Sequence, residues 1–113
     1  MMDDVQLNIW KEKFSDFLPS YLLRYNNHTN FNYVHSCTRI TDLEHFCTNE
    51  NVNFLGIATP PYNPYGDEFN YAAVFEDINN DYEIAWHHCS RKWINSFRKE
   101  LGIEEIQKKD GIT

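Results

Sequence analysis

The sequence has no cation over nearly half of its length. Between Arg39 and Arg91 lie 51 residues without a lysine or arginine, although the chain of 113 residues has 10 in total. A surface of one charge sign governs which partners a protein attracts and how fast it associates, rather than its fold. This cation-free segment, residues 40–90, carries nine acids: Asp42, Glu44, Glu50, Asp67, Glu68, Glu76, Asp77, Asp81 and Glu83. The sequence therefore predicts a protein partner with a basic surface, and no direct binding of nucleic acid.

Other shortages restrict the class of protein. Only 4 glycines and 4 prolines leave little room for long linkers, and 42% hydrophobic residues exclude a disordered chain. No run approaches the roughly 18 apolar residues of a membrane span, and the opening MMDDVQLN lacks the apolar region of a signal peptide. The 3 cysteines cannot all pair within one chain and are expected to be reduced thiols. These features predict one cytoplasmic domain over residues 1–113, with no membrane contact and no cofactor. The tail after residue 102 can be flexible.

Apolar residues at helical spacing predict two N-terminal helices. From Trp10 to Tyr25 these residues recur every three or four positions. Pro19 lacks a backbone donor, so the first helix is expected to break near Leu18, with Pro19 in the first turn of a second, short helix. Residues 31–35 alternate and are predicted to form a strand.

The remaining elements complete an α+β fold. Thr41 and Glu44 have the spacing of a capping box, which predicts a helix over residues 42–48. Strands are predicted at residues 53–59, 69–76 and 82–88. A last helix is predicted between Ser90 as its N-cap and Gly102 as its left-handed stop. The core stripe of that helix is Trp93, Ile94, Phe97 and Leu101. The predicted fold is a small, mostly antiparallel sheet of three to four strands packed by N-terminal and C-terminal helices.

The predicted hairpin and the proline loop before it carry the candidate binding residues. Period two in the last strand places Tyr82, Ile84, Trp86 and His88 on one face and Glu83, Ala85 and His87 on the other. With Tyr82 and Trp86 assigned to the core, Glu83 points outward. Aromatic residues supply contact area at protein interfaces, and carboxylates meet arginine or lysine there. The predicted partner-binding residues are Tyr62, Tyr65, Asp67, Glu68, Glu76, Asp77, Asp81 and Glu83.

Histidine and cysteine form three neighbouring pairs, which raise the alternative of a small metal-binding protein. The pairs are His35 with Cys37, His45 with Cys47, and His87 with Cys89. Zinc binds such donors tetrahedrally, but structural zinc sites usually draw two ligands from a tight knuckle. On a helix, two residues at this spacing point about 200° apart. Buried apolar thiols beside loop or strand histidines are therefore the preferred interpretation, and no metal site is assigned.

The sequence contains none of the common catalytic motifs. It has no glycine-rich phosphate loop, no H-E-x-x-H and no G-x-S-x-G. A Cys89 nucleophile activated by a histidine from another element is the alternative that would make the chain an enzyme. The basic residues of the last helix, Arg91, Lys92, Arg98 and Lys99, lie opposite its core stripe and are interpreted as a solvated face. We predict a binding protein without catalytic residues.

Several segments of the chain resemble the SUKH superfamily. Residues 17–27 are similar to that family's helix of Leu-Pro, tyrosine and leucines followed by Asn. Residues 66–69, 82–87 and 93–101 resemble its later strand, its tryptophan strand and its closing helix. The resemblance implies an α+β domain and, for bacterial members, an immunity protein that neutralises a toxin, often a nuclease. A phage-encoded inhibitor of a host defence nuclease, of the anti-CRISPR or DNA-mimic type, is the alternative with the same composition.

Overall fold

Four helices and a mixed sheet make up the part of the chain that the computed structural model describes, residues 3–24, 27–28, 34–60 and 71–107. The helices are α1 (Asp4–Ser15), α2 (Tyr21–Arg24), α3 (Ile40–Glu50) and α4 (Arg91–Leu101). The strands are β1 (Phe17–Leu18), β2 (Asn27–His28), β3 (Val52–Ala58), β4 (Tyr71–Asp77) and β5 (Glu83–Cys89), and 3₁₀ turns lie at Val34–Ser36 and Ile78–Asn80. Within those ranges, no helix is long and apolar enough to cross a membrane.

The sheet has the strand order β1-β3-β4-β5-β2. Strands β3, β4 and β5 are antiparallel neighbours, whereas the two-residue strands β1 and β2 pair in parallel with β3 and β5. The predicted α+β fold, with a mostly antiparallel sheet between N-terminal and C-terminal helices, is confirmed. The observed β3 and β5 are each shifted by one residue from the predicted strands, and residues 69 and 70 of the predicted middle strand lie outside the described residues.

One face of the sheet packs against α1, α3 and α4 through a cluster of aromatic rings. Phe14 of α1 is fully buried, and its ring centroid lies 4.9 Å from that of Phe97 and 5.2 Å from that of Phe54. Phe54 in turn lies 5.4 Å from Phe75 of β4. Ring pairs at such distances contribute about 0.5–1.5 kcal/mol each beyond their buried area. The cluster therefore fixes the first and last helices on the same face of the sheet.

The opposite face of the sheet is buried as well. Val74 and Trp86 form a second apolar cluster with Leu23 of α2. Ala85 and His87, which point to the first face, are also buried. Successive side chains of β5 therefore point to alternate faces of the sheet, as predicted. Because both faces are covered, this alternation does not separate buried from exposed residues, and the strand shows no alternation between apolar and polar residues.

The predicted end of the first helix is wrong. Helix α1 ends at Ser15, and Phe17–Leu18 form β1, which pairs with the end of β3. Gly56 permits this close approach, since a Cβ at its position would lie 3.2 Å from the carbonyl oxygen of Lys13 and 3.3 Å from Leu18 Cδ1. The second short helix is present, as α2.

The segment before α3 also differs from the prediction. Val34–Ser36 is a 3₁₀ turn rather than the end of a strand, and residues 31–33 lie outside the described residues. Because α3 begins at Ile40, Thr41 lies inside its first turn and does not cap it. The Ile40 N–H donates instead to Glu100 Oε1 of α4, at 3.0 Å. A partner 60 residues away replaces the local cap, and spacing within the helix could not indicate it.

Both ends of α4 agree with the prediction. Ser90 Oγ accepts a hydrogen bond from the Trp93 N–H at 3.0 Å, and Gly102 ends the helix with a φ of +73°. Such caps satisfy backbone groups that have no partner within the helix. Beyond α4, the Ile106 N–H donates to Asn95 Oδ1 at 2.7 Å and Asn95 Nδ2 donates to the Ile106 carbonyl at 3.0 Å. The chain after Gly102 is thereby attached to the helix as far as Ile106.

Candidate partner-binding surface

Four of the predicted binding residues gather at one end of the three central strands. Glu76 and Asp77 end β4, Asp81 lies in the turn that follows, and Glu83 begins β5. We call these four residues the acidic hairpin end. The other four predicted residues, Tyr62, Tyr65, Asp67 and Glu68, lie outside the described residues.

The strand register places two of these acids directly opposite each other. Asp77 of β4 pairs with Glu83 of β5, and the next pair is Glu76 with Ile84. Like charges directly opposite one another destabilise an antiparallel sheet. Unfavourable pairs of this kind are expected at functional sites, where a side chain is present for binding rather than for the stability of the fold.

Hydrogen bonds fix the backbone of the turn that joins the two strands. Asp77 Oδ1 accepts from the Asn79 N–H at 3.1 Å, and the Asp77 carbonyl accepts from the Tyr82 N–H at 2.9 Å. The residue after α3 supports the turn from the other side, because the Asn51 carbonyl accepts from the Ile78 N–H at 3.1 Å. The acids are therefore presented by a defined backbone.

Neutral amides hold two of the carboxylates in position. Asn53 Nδ2 donates to Glu76 Oε1 at 3.0 Å, and Asn80 Nδ2 donates to Glu83 Oε2 at 2.9 Å. Because an amide has no net charge, these hydrogen bonds orient the carboxylates without cancelling their negative charge. The hairpin end is thus a preorganised anionic surface, which loses less conformational entropy on binding than free side chains would.

Tyr82 lies beside these acids on the surface, although its position in the sequence predicted a place in the core. Its side chain is 59% exposed, and β5 begins only after it. Its φ is +61°, directly after +54° at Asp81. A left-handed backbone costs a residue other than glycine about 1–2 kcal/mol. This conformation takes Tyr82 out of the strand, so period two does not apply to it. The preceding Asn-Asn-Asp run, which tolerates left-handed backbone, was the sequence signal for this turn.

Cations lie at the other end of the same strands. β4 begins and β5 ends at the pair Tyr71 and Cys89, and α4 starts beyond it with Arg91 and Lys92. At roughly 3.3 Å per residue, the strands separate this end from the acidic hairpin end by about 20 Å. Arg98 is close to Tyr71, whose phenol is among its electrostatic neighbours, and partial burial lowers the pKa of its guanidinium group. Within the described residues, the acids of the hairpin and the cations Arg91 and Lys92 therefore lie at opposite ends of β4 and β5.

A groove adjoins the acidic hairpin end. It has a volume of about 450 Å³ and is lined by residues of α1, α3 and β3 together with Glu76. The Lys13 Nζ atom lies 5.1 Å from the centroid of the Trp10 ring, and burial lowers the pKa of this lysine. Glu44 of α3 also lines the groove. Glu44 was not among the predicted binding residues, and it shares this groove with Lys13 and Glu76.

The three cysteines are free thiols, as expected. Cys37 and Cys89 are buried, and Cys47 is half-buried. Burial raises the pKa of all three thiols, and that of Cys47 reaches about 11. At neutral pH the three thiols are therefore protonated, which makes them poor nucleophiles. They pack as apolar groups in or against the core.

Two of the three His-x-Cys segments meet in the fold. His35 Nε2 and His87 Nε2 lie 2.6 Å apart, and their ring centroids are separated by 4.5 Å. His45 is exposed on α3. Across the described ranges, no group of three or more His, Cys, Asp or Glu side chains has a geometry that would hold a metal ion. Sequence spacing could not show the pair, because 52 residues separate its members.

Comparison with known proteins returns no match, whether with protein-family models, curated proteins or solved structures. The features that bear on function are those of the acidic hairpin end and of the exposed Tyr82 beside it. This surface combines negative charge, an exposed aromatic side chain and a fixed backbone, which are features of protein-binding surfaces.

Proposed function

We propose that the chain is an acidic binding protein that inhibits a basic protein partner in the cytoplasm, as an immunity protein that neutralises a toxin, in particular a nuclease. The observation that carries the proposal is the cross-strand pair of Asp77 and Glu83 beside the exposed Tyr82. The resemblance of residues 17–27, 66–69, 82–87 and 93–101 to the SUKH superfamily supports the same class of function.

The inhibition would be stoichiometric and electrostatic. A nuclease active site is electropositive because it holds phosphate groups, so a fixed array of carboxylates is attracted to the same field. Such steering raises association rates by roughly 10- to 1,000-fold at low salt. In the complex, the carboxylates of Asp77, Asp81 and Glu83 pair with arginine or lysine, and Tyr82 supplies the apolar contact. Tyr62 and Tyr65, which lie outside the described residues, remain predicted contacts with the partner.

The separation of charge along the sheet would also orient the encounter. The side chains of Arg91 and Lys92 are repelled by the same field that attracts the acidic hairpin end. The protein would therefore approach a basic partner with Asp77, Asp81 and Glu83 in front.

A charge-neutral variant tests the proposal in cells. Asp77→Asn, Asp81→Asn and Glu83→Gln together remove three charges but keep side-chain oxygens that can accept the hydrogen bonds to the Asn79 N–H and Asn80 Nδ2. The wild-type protein should protect cells that express the toxin encoded beside its gene, and this variant should protect them at least about tenfold less.

A matched variant controls for net charge. Asp4→Asn, Glu12→Gln and Asp16→Asn change the charge by the same amount at exposed positions on and just after α1. This control should protect cells as well as the wild-type protein does. Equal protection by both triple variants, or no protection by the wild-type protein, would contradict the proposal. Protection of a phage against a host nuclease instead would support the anti-defence alternative.

Binding kinetics provide a second test with purified partner. The association rate constant should fall steeply between about 0.01 and 0.15 M salt, where the Debye length shortens from roughly 30 to 8 Å. The triple variant at the acidic hairpin end should associate more slowly and respond less to salt than the α1 control. An association rate constant that does not depend on salt would show that electrostatic steering does not contribute to binding.

A further inference from the structure

The contact between His35 and His87 brings two imidazole nitrogens from distant parts of the chain to one point. Their Nε2 atoms are 2.6 Å apart, and the ring planes are inclined by 57°. A neutral imidazole has one ring nitrogen with a lone pair, and this is the atom that a transition-metal ion binds. At this distance the two atoms share a hydrogen bond, in which one Nε2 carries the proton and the other accepts it. Transfer of that proton to the Nδ1 atom of the same ring, through solvent, leaves two metal-binding lone pairs at one point.

Both histidines stand on backbone that is fixed by other contacts. His87 is buried in β5 opposite Ala73 of β4, whose small side chain is also fully buried. His35 belongs to the 3₁₀ turn at Val34–Ser36, and the Val34 carbonyl accepts a hydrogen bond from Trp93 Nε1 at 3.0 Å. The side chain of Val34 is buried as well. The approach of the two imidazoles is thus determined by the packing of the turn on β5 and α4.

His35 is exposed, in contrast to His87. Solvent therefore reaches the pair from the side of the turn, and an ion can approach without unfolding of the sheet. The neighbouring thiols do not complete a ligand set, because Cys37 and Cys89 are packed in the apolar core. The donors that the described residues offer at this point are two nitrogens.

We propose that His35 and His87 bind one borderline transition-metal ion, with Zn²⁺ as the representative ion, through their Nε2 atoms. Tetrahedral zinc with Zn–N distances of about 2.05 Å requires the two nitrogens to lie about 3.3 Å apart, so the pair opens by roughly 0.7 Å. Rotation of the exposed His35 ring can supply this movement. Nitrogen donors select zinc, copper or nickel over magnesium and calcium, which prefer oxygen. The inference revises the sequence-based expectation of no metal site and is independent of the proposed inhibitory function.

Two coordination positions of such an ion are left to water or to a ligand from another molecule. Zinc sites with an open position bind exogenous groups, whereas four-ligand sites are closed and structural. The site would therefore be an exchangeable one, which binds the ion without being needed for folding.

Titration calorimetry of the full chain with zinc chloride tests the proposal. The wild-type protein should bind one Zn²⁺ per chain, and His35→Gln and His87→Gln should each weaken binding by more than about tenfold, since loss of a supporting partner alone costs 10- to 100-fold. His45→Gln is the matched control, because this exposed histidine of α3 lies outside the pair, and it should bind Zn²⁺ as the wild type does. Magnesium chloride should give no binding.

The informative variant is His35→Gln, because His35 is exposed and its loss leaves the core intact even if His87→Gln fails to fold. Nitrogen-15 spectra of the histidine rings give a second readout: Zn²⁺ should shift the Nε2 signals of His35 and His87 and leave that of His45 unchanged. Absence of zinc binding, unchanged binding by His35→Gln, or loss of binding in His45→Gln would each overturn the proposal.

Discussion

Replacing Trp93 by alanine tests how α4 is joined to the turn at Val34. Trp93 is buried, its ring centroid lies 4.7 Å from that of Phe97, and its Nε1 donates to the Val34 carbonyl at 3.0 Å. Truncation of a buried tryptophan costs about 3–5 kcal/mol. The hydrogen bond moves the expected loss into the upper half of that range, although the Val34 carbonyl keeps the Cys37 N–H as a donor at 3.2 Å. A loss of about 4–5 kcal/mol is a large part of the roughly 5–15 kcal/mol that stabilises a domain.

Trp93→Phe separates packing from hydrogen bonding. Phenylalanine keeps an aromatic ring against Phe97 but lacks the N–H donor, so the expected loss of unfolding free energy is about 1–2 kcal/mol. Urea unfolding followed by far-ultraviolet circular dichroism measures both variants, and equal m-values show that the unfolding transition itself is unchanged. Val5→Ala is the control, because Val5 is 69% exposed on α1, and it should change stability by no more than about 0.5 kcal/mol.

Two results would refute parts of this reasoning. If Trp93→Ala unfolds at the same urea concentration as the wild type, Trp93 does not pack in the core as the structure places it. If Trp93→Phe is as stable as the wild type while Trp93→Ala is not, the packing is supported but the hydrogen bond to Val34 contributes nothing to stability.

Three further predictions concern a cap, a glycine and a thiol. Ser90→Ala removes the acceptor of the Trp93 N–H and should lower the unfolding free energy by about 1 kcal/mol in urea titrations, whereas Ser90→Asp should be neutral. Gly56→Ala should lower it by about 1–3 kcal/mol, because the φ of +143° is strained for alanine and its Cβ would press on the Lys13 carbonyl; a variant with unchanged melting temperature would contradict this. Burial raises the pKa of Cys47 to about 11, which disfavours the reactive thiolate. Iodoacetamide should therefore label Cys47 in the native protein roughly 100-fold more slowly at pH 8 than in urea, with labelling that accelerates towards pH 11; equal rates would show an exposed thiol.

The parts of the fold that could be predicted depend on signals close together in the chain. Ser90 and Gly102 mark the ends of α4, and the Asn and Asp residues of the hairpin mark its turn. By contrast, β1 is a strand because Phe17–Leu18 pair with β3 beside Gly56, and α3 begins at Ile40 because Glu100 of α4 accepts its first N–H. Contacts of this kind have no local pattern, so residues 16–18 and the start of α3 were assigned wrongly.

The residues of the candidate site also fall into two groups, those that local sequence signals predict and those that only contacts between distant segments bring together. Glu76, Asp77, Asp81 and Glu83 were predicted to lie together because one hairpin contains them all. Tyr82 was misplaced because two left-handed residues interrupt the period-two pattern just before β5. The groove that includes Glu44 and the pair of His35 and His87 join elements that are distant in the chain, and only the folded structure shows them.

The two edges of the sheet have a consequence for how the protein meets others. Each edge strand, β1 and β2, is only two residues long, and such short strands offer little backbone of their own for the addition of a strand from another chain. Strand β1 also covers the end of β3 by pairing with Ile57 and Ala58. A chain shortened to begin after Leu18 would uncover the end of β3 that β1 now pairs with, and such an open edge is a template for aggregation between copies.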